Sequence, residues 1–136
     1  MKIEELMIGD IVEYLDVDQP VPVVVVKIDG PSSVVCLKQK NGHKFNTTIE
    51  YLRPIPLIPE ILKKIGYRIT FEGELHTTYF QDIDGFGVEI KIDCIGFTKL
   101  SMLNGLGYRI IIECKYLHQL QHAFSICKIN KQISLP

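Results

Sequence analysis

The sequence predicts an α+β protein that is mostly β, and three observations point to this class. Short apolar segments rich in β-branched residues recur along the chain between clusters of turn residues, which is typical of strands. Only residues 115–127 place apolar side chains at helical spacing over several turns. Hydrophobic residues make up 46% of the 136 residues, which is enough to build a packed core. We expect two parts, at residues 1–56 and 57–136.

The first part, residues 1–56, contains strand-like segments joined by tight turns. Gly9-Asp10 leads into the first segment, and Asn41-Gly42 is typical of a type I′ hairpin turn, because both residues tolerate a positive φ. We predict strands at 11–14, 23–28, 34–39 and 43–49. The segment 23–28 is apolar on both faces, so we expect it at the centre of the sheet. These short strands predict an SH3-like small β-barrel, with a small open meander as the alternative.

The second part, residues 57–136, is predicted to be an α+β domain in which an antiparallel sheet packs against one amphipathic helix. Pro59 suits the first turn of a short helix and Gly66 suits its end. We predict strands at 67–72, 76–81, 88–93 and 108–113, a loop or short helix near 100–103, and a final strand or a tail at 131–135. The strand at 67–72 is expected to be half-buried, because its apolar and polar residues alternate.

Between two of these strands, Asp82-Ile83-Asp84-Gly85 has the start of a calcium-loop pattern. Such a loop needs a third oxygen ligand before its glycine and a glutamate six residues after it. The glycine comes too early here, and Lys91 stands at the glutamate position. We therefore predict an acidic hairpin turn.

The C-terminal helix is predicted at residues 115–127. Leu117, Leu120, Phe124 and Cys127 cluster on one side of the helical wheel, and His118 and His122 fall on the other side with Lys115 and Ser125. We expect both histidines to face solvent or a subunit contact. The helix packs either within its own chain or across a dimer. If it pairs with a partner, the side chains that anchor it are Tyr116, Leu120 and Phe124.

The two histidines are also the best metal-binding candidates in the sequence. Residues four apart on a helix lie on the same face, so His118 and His122 could share an ion, with Cys114 as a third ligand. In H-E-x-x-H hydrolases a glutamate acts as the general base. Gln119 occupies that position here and cannot accept a proton at neutral pH. We therefore favour structural or surface histidines over a metal site, and we predict neither a catalytic residue nor a cofactor.

Aromatic residues and cysteines suggest fewer sites. Tyr14, Phe45 and Tyr51 could form a surface for a peptide or for nucleotide bases, but a small barrel needs aromatic side chains for its own core. The four cysteines lie among apolar residues and include no C-x-x-C pair. We therefore expect four small buried thiols rather than a zinc site.

The charge and hydropathy of the chain exclude some classes of protein. The formal net charge is −1, which disfavours sequence-independent binding of nucleic acid, although a local basic patch remains compatible with it. The longest apolar run, residues 21–26, is too short to cross a bilayer. The acidic N-terminus lacks the apolar stretch of a signal peptide. We expect a cytoplasmic protein without a membrane segment.

Three stretches of the chain resemble a family of small proteins found in prophages and mobile elements of gut bacteria. Members carry a Y-V-H-Q-L-Q helix core, which is similar to Tyr116-Leu117-His118-Gln119-Leu120-Gln121 here. The start, Leu6-x-Ile8-Gly9-Asp10-x-Val12, and the joint, Leu52-x-Pro54-Ile55-Pro56-Leu57, are similar as well. Ile58 and Lys128 depart from the family, in which a Thr or Ser cap and a Gly are usual. Residues 70–107 lie outside the resemblance.

The resemblance implies a phage or mobile-element product of the bacterial cytoplasm and no particular reaction. We therefore expect a non-catalytic binding or adaptor protein that contacts another protein or a second copy of itself. A nucleic-acid-binding module is one alternative. A metal-binding protein or metal-dependent hydrolase acting through His118 and His122 is the other.

Overall fold

The computed structural model describes residues 1–103, 109–129 and 132–136, without the side chains of residues 109 and 110. Within these residues the chain is mostly β, with two antiparallel five-stranded sheets and one long helix. The predicted α+β, mostly β class is therefore confirmed. The chain divides into two units, Met1–Ile55 together with Leu135, and Pro56–Ser134 together with Pro136.

The N-terminal unit contains the first sheet. Its strands are β1 (Ile11–Tyr14), β2 (Val21–Asp29), β3 (Val34–Lys38), β4 (Lys44–Thr48) and β5 (Leu52–Arg53), in the order β4-β3-β2-β1-β5. A 3-10 turn at Ile49–Tyr51 separates β4 from β5. β5 then returns to β1, where Arg53 and Glu13 form an ion pair at 2.7 Å. β4 and β5 are the edges, so the described sheet is open and not closed into a barrel.

The core of this unit lies beneath β2, which is central as predicted. Val23 and Val25 of β2 are fully buried and pack with Val35 and Leu37 of β3. Leu6, Val12 and Leu52 complete the buried cluster. Because the buried residues of β2 and β3 alternate, one face of these strands covers the core.

The two hairpin turns at Asn41-Gly42 and Asp84-Gly85 differ in backbone conformation. At Asn41-Gly42 only the glycine has a positive φ, +88°, so this turn is not type I′. Instead, the Gly42 N–H donates to Gln39 O, and the Asn41 side chain accepts from the His43 N–H at 2.9 Å. At Asp84-Gly85 both residues have positive φ, 49° and 80°, as a type I′ turn requires. The predicted acidic hairpin turn is therefore confirmed.

The C-terminal unit contains the second sheet. Its strands are β6 (Arg68–Glu72), β7 (His76–Ile83), β8 (Phe86–Asp93), β9 (Thr98–Leu103) and β10 (Arg109–Glu113), in the order β10-β9-β8-β7-β6. The predicted loop or short helix near residues 100–103 is wrong, because this segment is β9. Leu100 and Met102 alternate with polar residues, pair with Ile90 and Val88 of β8, and are buried together with them.

The predicted half-burial of the strand near residues 67–72 is also wrong. All five residues of β6 are exposed, including Ile69 and Phe71, and only the preceding Tyr67 is buried. β6 is an edge strand, and its register against β7 shifts between Ile69 and Phe71. Alternation along a strand predicts two faces, but burial also needs a neighbour that covers one of them.

Two α-helices belong to the same unit. α1 (Pro59–Lys64) begins at the predicted proline, and Gly66 follows it with a φ of +102°. α2 (Leu117–Ile126) lies inside the predicted helix. Lys128 adopts a φ of +55° after α2, so a lysine takes the left-handed conformation that glycine usually takes at a helix end. Residues 132–136 form no strand, and the remainder of the predicted last element lies outside the described residues, as does residue 108.

Candidate functional site

The histidines of α2 are placed differently from the sequence prediction. His118 is only 4% exposed, whereas we expected it to face solvent, and His122 is half-buried. The His118 ring stacks on Tyr116 with ring centroids 5.9 Å apart and meets His122 edge-on at 5.6 Å. The helical wheel placed His118 on the polar side, but it could not show that Tyr116, before the helix, stacks on this ring.

The candidate ligand Cys114 is also buried. Its Sγ lies 3.9 Å from Tyr116 O, and burial raises the pKa of the Cys114 thiol to about 12. A thiol binds metal as the thiolate, so this environment opposes the form that a ligand needs. In the described part of the chain, no three His, Cys, Asp or Glu side chains come together to hold a metal. The metal site at His118, His122 and Cys114 stays a prediction.

Gln119 stands at the position of the general base in an H-E-x-x-H hydrolase, and its side chain makes structural hydrogen bonds. Its side-chain oxygen accepts hydrogen bonds from the backbone N–H groups of Lys115 and Tyr116, at 2.8 and 3.1 Å. These bonds satisfy amides at the start of α2. The residue therefore fixes the entry of the chain into the helix.

The three predicted anchors for a partner differ in exposure. Leu120 and Phe124 are buried by the chain itself, and Tyr116 is half-buried with Lys115 Nζ 5.7 Å from its ring centroid. α2 thus packs within its own chain, one of the two predicted alternatives. Of the three anchors, only Tyr116 has an appreciably exposed side chain.

A surface feature that the sequence analysis missed lies at one end of the C-terminal sheet. The β6–β7 connection presents Leu75, which is 73% exposed, and the β8–β9 connection presents Ile95, which is 85% exposed, together with the exposed Phe97. We name these three residues the apolar tip. The Cys94 N–H donates to Leu75 O at 2.8 Å and joins the two connections.

Hydrogen bonds hold the apolar tip in shape. One carboxylate oxygen of Asp93 accepts from the Ile95 N–H at 3.1 Å and from the Phe97 N–H at 2.8 Å. The tip is adjacent in sequence to Glu72, Glu74 and Asp93. Apolar residues beside the turn glycine Gly96 are the sequence signal that could have indicated this surface, because turn residues are usually polar. Cys94, in the same connection, is exposed, so the expectation of four buried thiols is wrong.

The aromatic residues of the N-terminal unit are only partly buried. The Tyr14 and Phe45 rings meet edge-on with centroids 4.9 Å apart and pack against the valine-rich core. His43 stacks on Phe45 at 6.1 Å and 18°. Tyr51 is exposed. Core packing and an accessible aromatic surface thus coexist in this unit.

Among the described helices, none combines the length and the apolar character that crossing a membrane would require. Comparison of the chain with protein-family models, with curated proteins and with solved structures finds no match. The resemblance to prophage proteins therefore stays a prediction.

Proposed function

We propose that this chain is a non-catalytic adaptor protein of a phage or mobile element, and that it binds its protein partner through the apolar tip. The observation that carries the proposal is the exposure of Leu75, Ile95 and Phe97 on two connections that the hydrogen bond from the Cys94 N–H to Leu75 O joins. Exposed apolar patches on a folded surface commonly mark interaction sites. The hydrogen bonds that fix the two connections reduce the conformational entropy lost when a partner binds.

The charges beside the tip favour a partner of a particular chemistry. Three acidic residues, Glu72, Glu74 and Asp93, and one lysine, Lys99, lie within three positions of the tip in the sequence, so two copies meeting tip to tip would bring an excess of carboxylates together. A protein that presents apolar side chains with lysine or arginine around them would be complementary. The tip is therefore expected to bind a different protein in preference to a second copy.

We further infer that the N-terminal unit is an SH3-like module and that the protein works in the bacterial cytoplasm. The return of β5 to β1 after a 3-10 turn supports the first inference, because this pairing brings the last strand back to the first. All four cysteines are free thiols, which suits a reducing compartment. The phage or mobile-element setting rests on the resemblance of the helix and of the N-terminal motifs.

The proposal is tested by capturing partners from a bacterium that carries the mobile element. Tagged wild-type protein is compared with the double variant Leu75→Asp/Ile95→Asp and with the control Ile126→Asp, which changes an exposed apolar residue at the end of α2. The double variant removes two apolar side chains that the partner would bury. This loss weakens binding by about 3 kcal/mol or more, which is about a hundred-fold in Kd.

We expect one protein to co-purify with the wild type and the control and to be lost with the tip variant. Circular dichroism shows whether the variants keep the fold. Equal recovery of the same partner with the tip variant would overturn the assignment of the tip. Turnover of a substrate by the purified chain would overturn the non-catalytic role.

A further inference from the structure

We propose that the β3–β4 hairpin of the N-terminal unit binds a single-stranded polynucleotide, as a second function independent of the apolar tip. The proposal rests on three features: a local excess of positive charge in the hairpin, a row of aromatic rings formed by two hairpin residues and Tyr14 of β1, and the position of β4 at the edge of its sheet.

Positive and negative charges are segregated in the N-terminal unit. Three of the six Lys and Arg residues in 1–55 are Lys38, Lys40 and Lys44, and all eight Asp and Glu residues of 1–55 lie outside residues 30–49. The formal net charge of −1 for the whole chain therefore hides a local basic site. All three lysines are exposed and accessible to phosphate groups.

Lys38 and Lys44 are opposite each other in the antiparallel register of β3 and β4. Side chains at opposite positions of paired strands lie on the same face, and like charges placed in this way repel. Neither lysine forms an ion pair with any part of the chain that the structure describes. A phosphate group bound between them would relieve the repulsion.

The rings of His43, Phe45 and Tyr14 form a row on the face of the sheet opposite to Lys38 and Lys44. His43 stacks on Phe45, and Phe45 meets Tyr14 edge-on. Tyr14 and Phe45 are anchored against the core, whereas His43 is exposed. Because aromatic rings stack on any base, such a row binds bases with little sequence preference.

The edge position of β4 brings rings and charges within reach of one ligand. Successive residues of a strand point to opposite faces, so His43 and Phe45 lie on one side of β4 and Lys44 lies on the other. β4 pairs only with β3 among the described strands, which leaves its other side open. A polynucleotide running along this edge would place bases against the rings and phosphates against the lysines.

This combination selects among polyanions. An acidic peptide would complement the lysines but has no bases to stack on the rings, and the bases of a duplex are already stacked inside the helix. A single strand, with free bases and a charged backbone, matches both halves of the hairpin.

The test measures fluorescence anisotropy with labelled oligomers of about 12 nucleotides, oligo-dT and oligo-rU, and with a duplex of the same length, using the full chain. Binding of either single strand supports the proposal, and the oligomer that binds with the higher affinity shows whether DNA or RNA is the preferred ligand. Three lysine–phosphate contacts predict a slope of about −2 for log K against log[salt], or about a 20-fold loss between roughly 50 and 200 mM NaCl. The duplex is expected to bind about ten-fold more weakly.

Variants separate the two halves of the site. Lys38→Ala/Lys44→Ala should reduce the salt slope to about −0.7, whereas the control Lys63→Ala/Lys64→Ala at the end of α1 should leave it unchanged. His43→Ala should weaken binding about ten-fold at an unchanged salt slope. All these positions are exposed, so the fold should be retained. Absence of binding at about 50 mM NaCl, or equal losses in the hairpin and control lysine variants, would overturn the proposal.

Discussion

Cys114 and Tyr67 are buried polar side chains of the C-terminal unit, and their burial controls their protonation. Burial raises the pKa of the Cys114 thiol from about 9 to about 12. The pKa of the Tyr67 hydroxyl is also raised, first by burial and second by the neighbouring charge of Cys114. Within the described residues, the Tyr67 hydroxyl has no hydrogen-bond partner. Burial therefore keeps both groups neutral further into the alkaline range than their ordinary pKa values would.

The raised pKa of Cys114 predicts a loss of stability in alkali. In the unfolded chain this thiol ionises from about pH 9, but in the folded chain it stays neutral until about pH 12. The contribution of this thiol to the free energy of unfolding is complete below pH 9. It is lost as the pH rises towards 12, by at most about 1.4 kcal/mol per pH unit. Urea unfolding between pH 8 and 11 should show a shallower decline for Cys114→Ala than for the wild type. The exposed-site variant Cys94→Ala is the control, and parallel curves for Cys114→Ala and wild type would contradict the assignment.

Single residues also show what the sequence could reveal. The spacing of His118 and His122 predicted their proximity, and the rings do meet. The burial of His118 could not be predicted, because it depends on how the chain packs around α2. The left-handed conformation of Lys128 could not be predicted either, because it depends on a contact made in the folded chain. This conformation is modestly unfavourable for lysine, and the hydrogen bond from the Ile129 N–H to Phe124 O helps to offset that energy.

At the scale of elements, β9 is a strand whose alternating pattern is short. Leu100 and Met102 alternate with Lys99 and Ser101, a strand pattern that is short and has glycines close to it on both sides in the sequence. Glycine favours turns and loops, so the sequence did not indicate a strand here. In the sheet, however, this strand occupies the position between β8 and β10, and its apolar residues fill the core.

The role of β9 in the core is tested by two leucines on the same strand. Leu100 is fully buried, whereas Leu103 is 48% exposed. Leu100→Ala is expected to lower the free energy of unfolding by about 2–5 kcal/mol, because it leaves a cavity. Leu103→Ala should change it by about 0.5 kcal/mol or less. Urea denaturation measures both, and similar losses for the two variants would argue against the observed register of β9.

The sequence predicted the other elements to different extents. Runs of β-branched residues located β2 and β3, and Pro59 with Gly66 located α1. The exposure of β6 was not predictable, because a pattern within one segment does not show whether another segment covers it. The sequence of the β3–β4 hairpin displayed its lysines, but only the register showed that Lys38 and Lys44 are opposite each other.

At the scale of the whole molecule, the N-terminal unit has a core of its own. All seven buried residues of its main cluster lie between Leu6 and Leu52. We expect a fragment of residues 1–55 to fold by itself with low stability, because a domain of this size buries a smaller fraction of its surface than a larger domain does. A β-type circular dichroism spectrum with a cooperative thermal transition would support this expectation. A spectrum of unfolded chain under the conditions in which the full protein is folded would contradict it.

The order of the strands has a kinetic consequence. In the C-terminal sheet each strand pairs only with its neighbours in sequence, so the sheet can grow hairpin by hairpin at low cost in loop-closure entropy. The N-terminal sheet has one distant pairing, in which Glu13 and Arg53 meet across 40 residues. During synthesis, the strands β1 to β4 leave the ribosome before β5, so the fifth strand sets the earliest moment at which this unit can be complete.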